Sequence, residues 1–156
     1  MPSFSAALQA FLAEHGFPPD DVNGRDGNQA TPLMLATRLA PPDLVQELLR
    51  AGADIHAVNA DGNQALWFAC VGEISENIQL LIDAGADLQH VNFTGATPLM
   101  FAASSGRVRA VTLLLAAGAD PLFETEPGLS ALDMASTQEV LVLMRNALRG
   151  RKAMEG

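Results

Sequence analysis

The chain has 156 residues and a mass of 16.4 kDa, of which 49% are apolar and 17% charged. That size suits one domain with a real core, and that balance excludes an intrinsically disordered chain. A net charge of −9 argues against a nucleic-acid binder, which needs a basic face, and the single cysteine, Cys70, excludes a disulfide framework or a multi-cysteine zinc site.

In chain order, the first segment, about 4–15, carries Phe4, Leu8, Phe11 and Leu12 on one helical stripe, with Gly16 behind it. It reads as an N-terminal cap helix, the second helix of an incomplete unit. No Lys or Arg precedes its apolar residues, so it lacks the positive start of a secretory signal. No apolar run reaches the length of a membrane span, and a cytoplasmic location is expected.

Beyond that segment the chain repeats. Gly-Ala-Asp stands at 52–54, 85–87 and 118–120, a spacing of 33 each time. An alanine closes an apolar stretch at Ala36, Ala69, Ala102 and Ala135, again 33 apart. The triplets Val45/Leu48/Leu49, Ile78/Leu81/Ile82 and Val111/Leu114/Leu115 keep the same register. Each period predicts two short helices and a turn. Thr31-Pro32-Leu33 and Thr97-Pro98-Leu99 open first helices, because Thr caps a helix and Pro tolerates its first position. These helices are expected to end near Gly72 and Gly106. Second helices carry apolar residues at i, i+3 and i+4 and stop at Gly52, Gly85 and Gly118. One such unit buries only one face, so neighbours must stack. The units are placed at about 23–55, 56–88, 89–121 and 122–149, the last shortened between Ala135 and Val140. The final helix is expected over about 138–149, with Val140, Leu143, Met144 and Ala147 facing inward, and 151–156 is read as a short tail outside the 1–150 domain.

These residues resemble the ankyrin repeat, whose 33-residue unit carries Gly-x-Thr-Pro-Leu-His-x-Ala-Ala and Leu-Leu-x-x-Gly-Ala-Asp segments. Gly95-Ala-Thr-Pro-Leu-Met-Phe-Ala-Ala103 and Leu114-Leu-Ala-Ala-Gly-Ala-Asp120 match almost fully; Gly62–Cys70 and Gly128–Ser136 are looser copies. The resemblance covers about 5–149 and implies an all-α solenoid of helix–turn–helix units joined by β-turn or hairpin loops. Two departures stand out. The family's histidine is replaced by Met34, Trp67, Met100 and Asp133, so apolar contact is expected to replace its hydrogen bond in three units. Gln29 stands where later units have glycine, so the first turn is expected to close differently. The stretches Leu66-Trp-Phe-Ala-Cys70 and Ala96–Gly106 look like those of small stand-alone bacterial ankyrin proteins, and eight Arg against one Lys suggests a GC-rich genome.

Catalytic chemistry finds no support in the residues. No histidine pair has metal-ligand spacing; His15, His56 and His90 read as structural surface residues. Cys70 sits where the next unit has Ala103, the place of a small buried hydrophobe. No nucleophile elbow or phosphate-cradling loop is present, and Asp54, Asp87 and Asp120 recur with the period, as turn residues do. No enzyme activity, cofactor or metal is expected.

The resemblance places partner binding on a concave side made of turn tips and first helices. The positions the repeat leaves free there are Arg25, Asn28, Arg38 and Leu39 in the first full unit; Val58, Ala60, Asp61, Asn63, Val71 and Gly72 in the second; Val91, Phe93, Thr94, Ala96, Ser104 and Ser105 in the third; and Glu124, Glu126 and Leu129 in the last. Phe93 is a large aromatic at a tip, either a binding anchor or a ring folded over the neighbouring turn. Met34, Trp67 and Met100 read as packing between units. Residues 1–144 hold 5 basic and 17 acidic side chains, whereas Arg145, Arg149, Arg151 and Lys152 make the end basic. The acidic body serves solubility or selects a basic protein partner. The function expected is non-catalytic protein–protein binding by a monomer, with no nucleic acid or membrane involved. An inhibitor or assembly factor that masks an enzyme makes the same contact. The apolar run Val140–Leu143 leaves self-association through the C-terminal helix as a third reading.

Overall fold

A computed structural model of the chain describes residues 3–126 and 128–155. Among them are eight helices and no strands, the all-α solenoid expected. Helix α1 (Ala6–Glu14) precedes three helix pairs: α2 (Pro32–Leu39) with α3 (Pro42–Arg50), α4 (Ala65–Gly72) with α5 (Ser75–Asp83), and α6 (Pro98–Ser104) with α7 (Val108–Ala116). Helix α8 (Gln138–Glu155) follows. First helices stack as one layer, α2 on α4 on α6; second helices form the other, α1 on α3, α5, α7 and α8.

The local chemistry explains the boundaries. Thr31 and Thr97 cap α2 and α6, each hydroxyl accepting from the backbone N–H three residues on. After α1, α3, α5 and α7 a left-handed glycine turns the chain, at Gly16, Gly52, Gly85 and Gly118. The N–H of the next residue then reaches back to the fifth carbonyl before it, as in Ala53 to Leu48 at 3.0 Å and Ala119 to Leu114 at 2.9 Å. This closure satisfies carbonyls that the helix end leaves free. Leu8, Leu12, Leu33, Leu48, Leu66, Ile78, Leu81, Leu99 and Leu114 fill the continuous core between layers.

Met34 and Met100 are fully buried between units, and the Trp67 ring lies 4.7 Å from that of Phe101, so the replacements for the family's histidine do pack. Asp133 instead accepts from the N–H and hydroxyl of Ser130, which holds its carboxyl below the usual range.

Three expectations need correction. The turn at Gln29 closes like the others: Gln29 takes φ 63 where Gly62, Gly95 and Gly128 take φ 79, 85 and 80, and Asp26 N–H still reaches Ala30 O at 3.0 Å. Helix α4 ends at Gly72, where expected, and Glu73 makes the left-handed turn after it at φ 53. In the last unit the first helix is reduced to a turn at 131–134. The shortened segment ends at Ser136, whose N–H and hydroxyl bind Ala103 O at 3.2 and 3.0 Å, and Thr137 immediately caps α8. Nucleation there has no residues left to propagate into. Finally, 151–155 is no tail but the last turn of α8, and Arg151 pairs with Asp120 at 2.8 Å.

Candidate functional site

The turn tips are rigid because asparagine and aspartate side chains replace missing backbone partners. Asp26, Asn59 and Asn92 stand 33 apart. Each side-chain oxygen accepts the N–H groups two and four residues on: Asn28 and Ala30, Asp61 and Asn63, Thr94 and Ala96, all at 2.8–3.1 Å. Such turns fix a tip without burying apolar area. Tips are then joined sideways. Ala60 N–H donates to Asn28 O at 3.0 Å, Phe93 N–H to Asp61 O at 3.1 Å, and Asn92 Nδ2 to Asn63 Oδ1 at 2.9 Å. Deeper in the turns, Asn23 Oδ1 accepts from Asp54 N–H at 2.8 Å, and His90 Nε2 lies 2.8 Å from Gly62 O.

Most sequence-selected positions reach solvent on this edge or on the first helices of the units. Arg25, Asn28, Arg38, Leu39, Asp61, Val91, Phe93, Thr94, Ser104, Ser105, Glu124 and Glu126 are exposed, as are Ala60 and Leu129. Val58, Val71 and Ala96 are half-buried. Asn63 is a correction: it is buried, and both its N–H and its side-chain oxygen are spent holding tips together. Gly72 is another. A Cβ on it would stand 2.4 Å from Arg38 O, so the glycine exists to let α4 approach α2. Arg25 is exposed, but its guanidinium bonds Gln29 O and Val58 O and so bridges the first two tips.

Phe93 is folded over the neighbouring turn and still exposed. Its ring lies on the Gly62 backbone, where an added Cβ would meet Cδ1 at 2.6 Å, yet the residue is 75% exposed. Glycine at 62 makes the seat for the ring, and the opposite ring face is open. Leu39 and Leu129 are also large apolar residues in contact with water, at 56% and 49%. An open groove of about 430 Å³ lies beside Phe93, bounded by Val91, Thr94, Thr125 and Glu126.

Other chemistry is thin. Burial pushes the Cys70 thiol up to about 12, the opposite of nucleophilic activation. Among the described residues no group of three or more His, Cys, Asp or Glu is placed to hold a metal, and no helix is long and apolar enough to cross a membrane.

The asparagine ladder was missed from the sequence, although its signal, an Asx residue every 33 positions, was present. Also missed was Asn77, fully buried on α5, whose amide donates to Thr37 O at 3.2 Å and Ala40 O at 2.9 Å. Thr37 O is left free because Pro41, four residues on, has no N–H, and Ala40 is the extended residue that ends α2.

A family model described as ankyrin repeats (three copies) matches residues 33–125. Curated relatives include neurogenic locus notch homolog protein 1 of Danio rerio, 41% identical over 61 residues, and notch homolog protein 2 of Homo sapiens, 39% identical over 61 residues. Each alignment takes in 38% of this chain and 2% of the relative. Notch homolog protein 1 of Xenopus tropicalis is 44% identical over 55 residues, 35% of this chain and again 2% of that protein. The chain therefore spans only a small fraction of the length of these relatives.

Proposed function

The chain belongs to the ankyrin-repeat family, and on that premise we propose that it is a non-catalytic module that docks one protein partner on the concave face made by its turn tips and the helices α2, α4 and α6. Ankyrin repeats are generally protein–protein interaction modules. The observation that carries the reading for this chain is Phe93: an aromatic three-quarters exposed, seated on Gly62 and fixed by its own N–H. A preorganised anchor of this kind loses little entropy on docking. Arg25, Asn28, Arg38, Leu39, Val58, Asp61, Val71, Val91, Thr94, Ala96, Ser104, Ser105, Glu124 and Glu126 supply the surrounding surface. Asp61, Glu124 and Glu126 favour a basic partner, in keeping with the net charge of −9. The module acts as a cytoplasmic monomer.

Amide hydrogen exchange tests this once a partner has been retained from the native host. Protection in the complex should collect in tips 58–63 and 91–96 and along α4 and α6. Protection confined to α3, α5 and α7 contradicts the proposal.

A further inference from the structure

We propose that the groove between the third and fourth turn tips receives a cationic side chain, arginine or lysine, of the docked protein, held between the Phe93 ring and the Glu126 carboxylate; this rests on the docking reading above. Three observations converge. The Phe93 ring backs onto Gly62 and turns its other face outward, and that residue lines the same groove of about 430 Å³ as Glu126. An aromatic face attracts a cation through its quadrupole, and an adjacent carboxylate adds a direct charge partner.

The second observation is the charge of the whole edge. Across tips 25–30, 58–63, 91–96 and 124–129 the only cation in the sequence is Arg25. Its guanidinium is committed to two backbone carbonyls of the first two tips, away from the groove. The carboxylates on the same edge are Asp26, Asp61, Glu124 and Glu126. Asp26 is occupied by its own turn. Asp61, Glu124 and Glu126 are exposed, and among the described residues none forms an ion pair. The third observation is apolar: Val91, 38% exposed, borders the groove and suits the methylene stem that both cationic side chains carry. An anionic or purely aliphatic segment answers only part of this lining; a cation on an apolar stem answers all of it.

The test is a titration of the full ¹⁵N-labelled chain with acetylated hexapeptides in which leucine alternates with arginine, lysine, citrulline or glutamate. Arginine and lysine peptides should shift the amides of 91–96, 125 and 126, with citrulline and glutamate peptides binding far more weakly. Phe93→Leu should weaken the arginine peptide about threefold or more, the loss of a cation–π contact. Glu126→Gln should weaken it about threefold and flatten its dependence on sodium chloride. Equal shifts from citrulline, an unaltered affinity in Phe93→Leu, or no binding by any peptide each overturn the site. Shifts that gather on α2, α4 and α6 but bypass the groove overturn the cation site and leave the docking reading standing. Groove shifts together with a partner footprint on α3, α5 and α7 overturn the docking reading alone.

Discussion

Gln29 and Glu73 are the two non-glycine residues with left-handed backbone among those described, at φ 63 and φ 53. The same conformation has opposite value at the two places. Gln29 is exposed and its side chain makes no contact that explains it, so the strain there is uncompensated. Gln29→Gly should raise stability by about 0.5–1 kcal/mol in chemical denaturation, since a left-handed residue with a Cβ costs roughly that much. Glu73 differs because its carboxylate reaches Ala110 N–H, at 3.5 Å, in the first turn of α7. Negative charge at a helix N-terminus is stabilising. Glu73→Gly should therefore gain little or lose stability, and an equal gain in both variants would show that the carboxylate does nothing. Cys70 gives a second test at this scale. Its thiol is raised from 9.0 to about 12 by burial, with Arg107 acting against and Glu73 with that shift. Folding disfavours the thiolate, so its contribution is fully present below pH about 9 and is lost as pH rises towards 12. Iodoacetamide at pH 8 should modify the chain only when denaturant unfolds it; rapid modification of the native protein contradicts the burial of Cys70.

At the scale of elements, the contact of α2 with α4 decides how closely two units stack. Gly72 faces Arg38 backbone, with its imagined Cβ 2.4 Å from the carbonyl oxygen and 2.8 Å from Cα. Backbone cannot swing aside as a side-chain tip does. Gly72→Ala should cost about 2 kcal/mol or more, read as a lower denaturation midpoint. Gly150→Ala is the control: nothing lies within 4 Å of its site on α8, and replacing a helical glycine there should gain up to about 1 kcal/mol. Similar effects in both would mean that helix propensity, not the approach of α4 to α2, sets the outcome. The 33-residue period made α2 to α7 readable from Thr-Pro-Leu caps, apolar triplets and closing glycines. It placed the end of α4 at Gly72 but hid the reason for the glycine, which is the close approach of the Arg38 backbone. It misled over 131–134, where Leu132 and Met134 keep the apolar pattern but the deletion before Val140 removes the length a helix needs. The extension of α8 through Glu155 was hidden because its last turn carries no buried stripe, and the Arg151–Asp120 pair it makes joins residues distant in sequence.

Over the whole molecule, two layers of helices carry a row of tips whose geometry is set by polar side chains and not by the core. Exposed candidates such as Phe93, Thr94 and Glu126 were readable by elimination, as positions the repeat does not use. Asn63 was not, because elimination cannot tell a free residue from one committed to a neighbour that lies 29 positions away at Asn92. The seat of Phe93 on Gly62 was equally hidden, since both residues have an independent reason to be in a turn. The account's central claim is that this edge, led by Phe93, is where the partner docks. Titration calorimetry with the partner retained from the native host tests it most directly, using the wild-type chain, Phe93→Ala and Gln79→Ala. Gln79 is exposed on α5, where its amide binds only Asp83 at 2.8 Å. Phe93→Ala should lose about 2 kcal/mol or more of binding free energy, as anchor truncations do, with the protein still folded, while Gln79→Ala binds like wild type. Wild-type affinity in Phe93→Ala together with a loss in Gln79→Ala would contradict the claim.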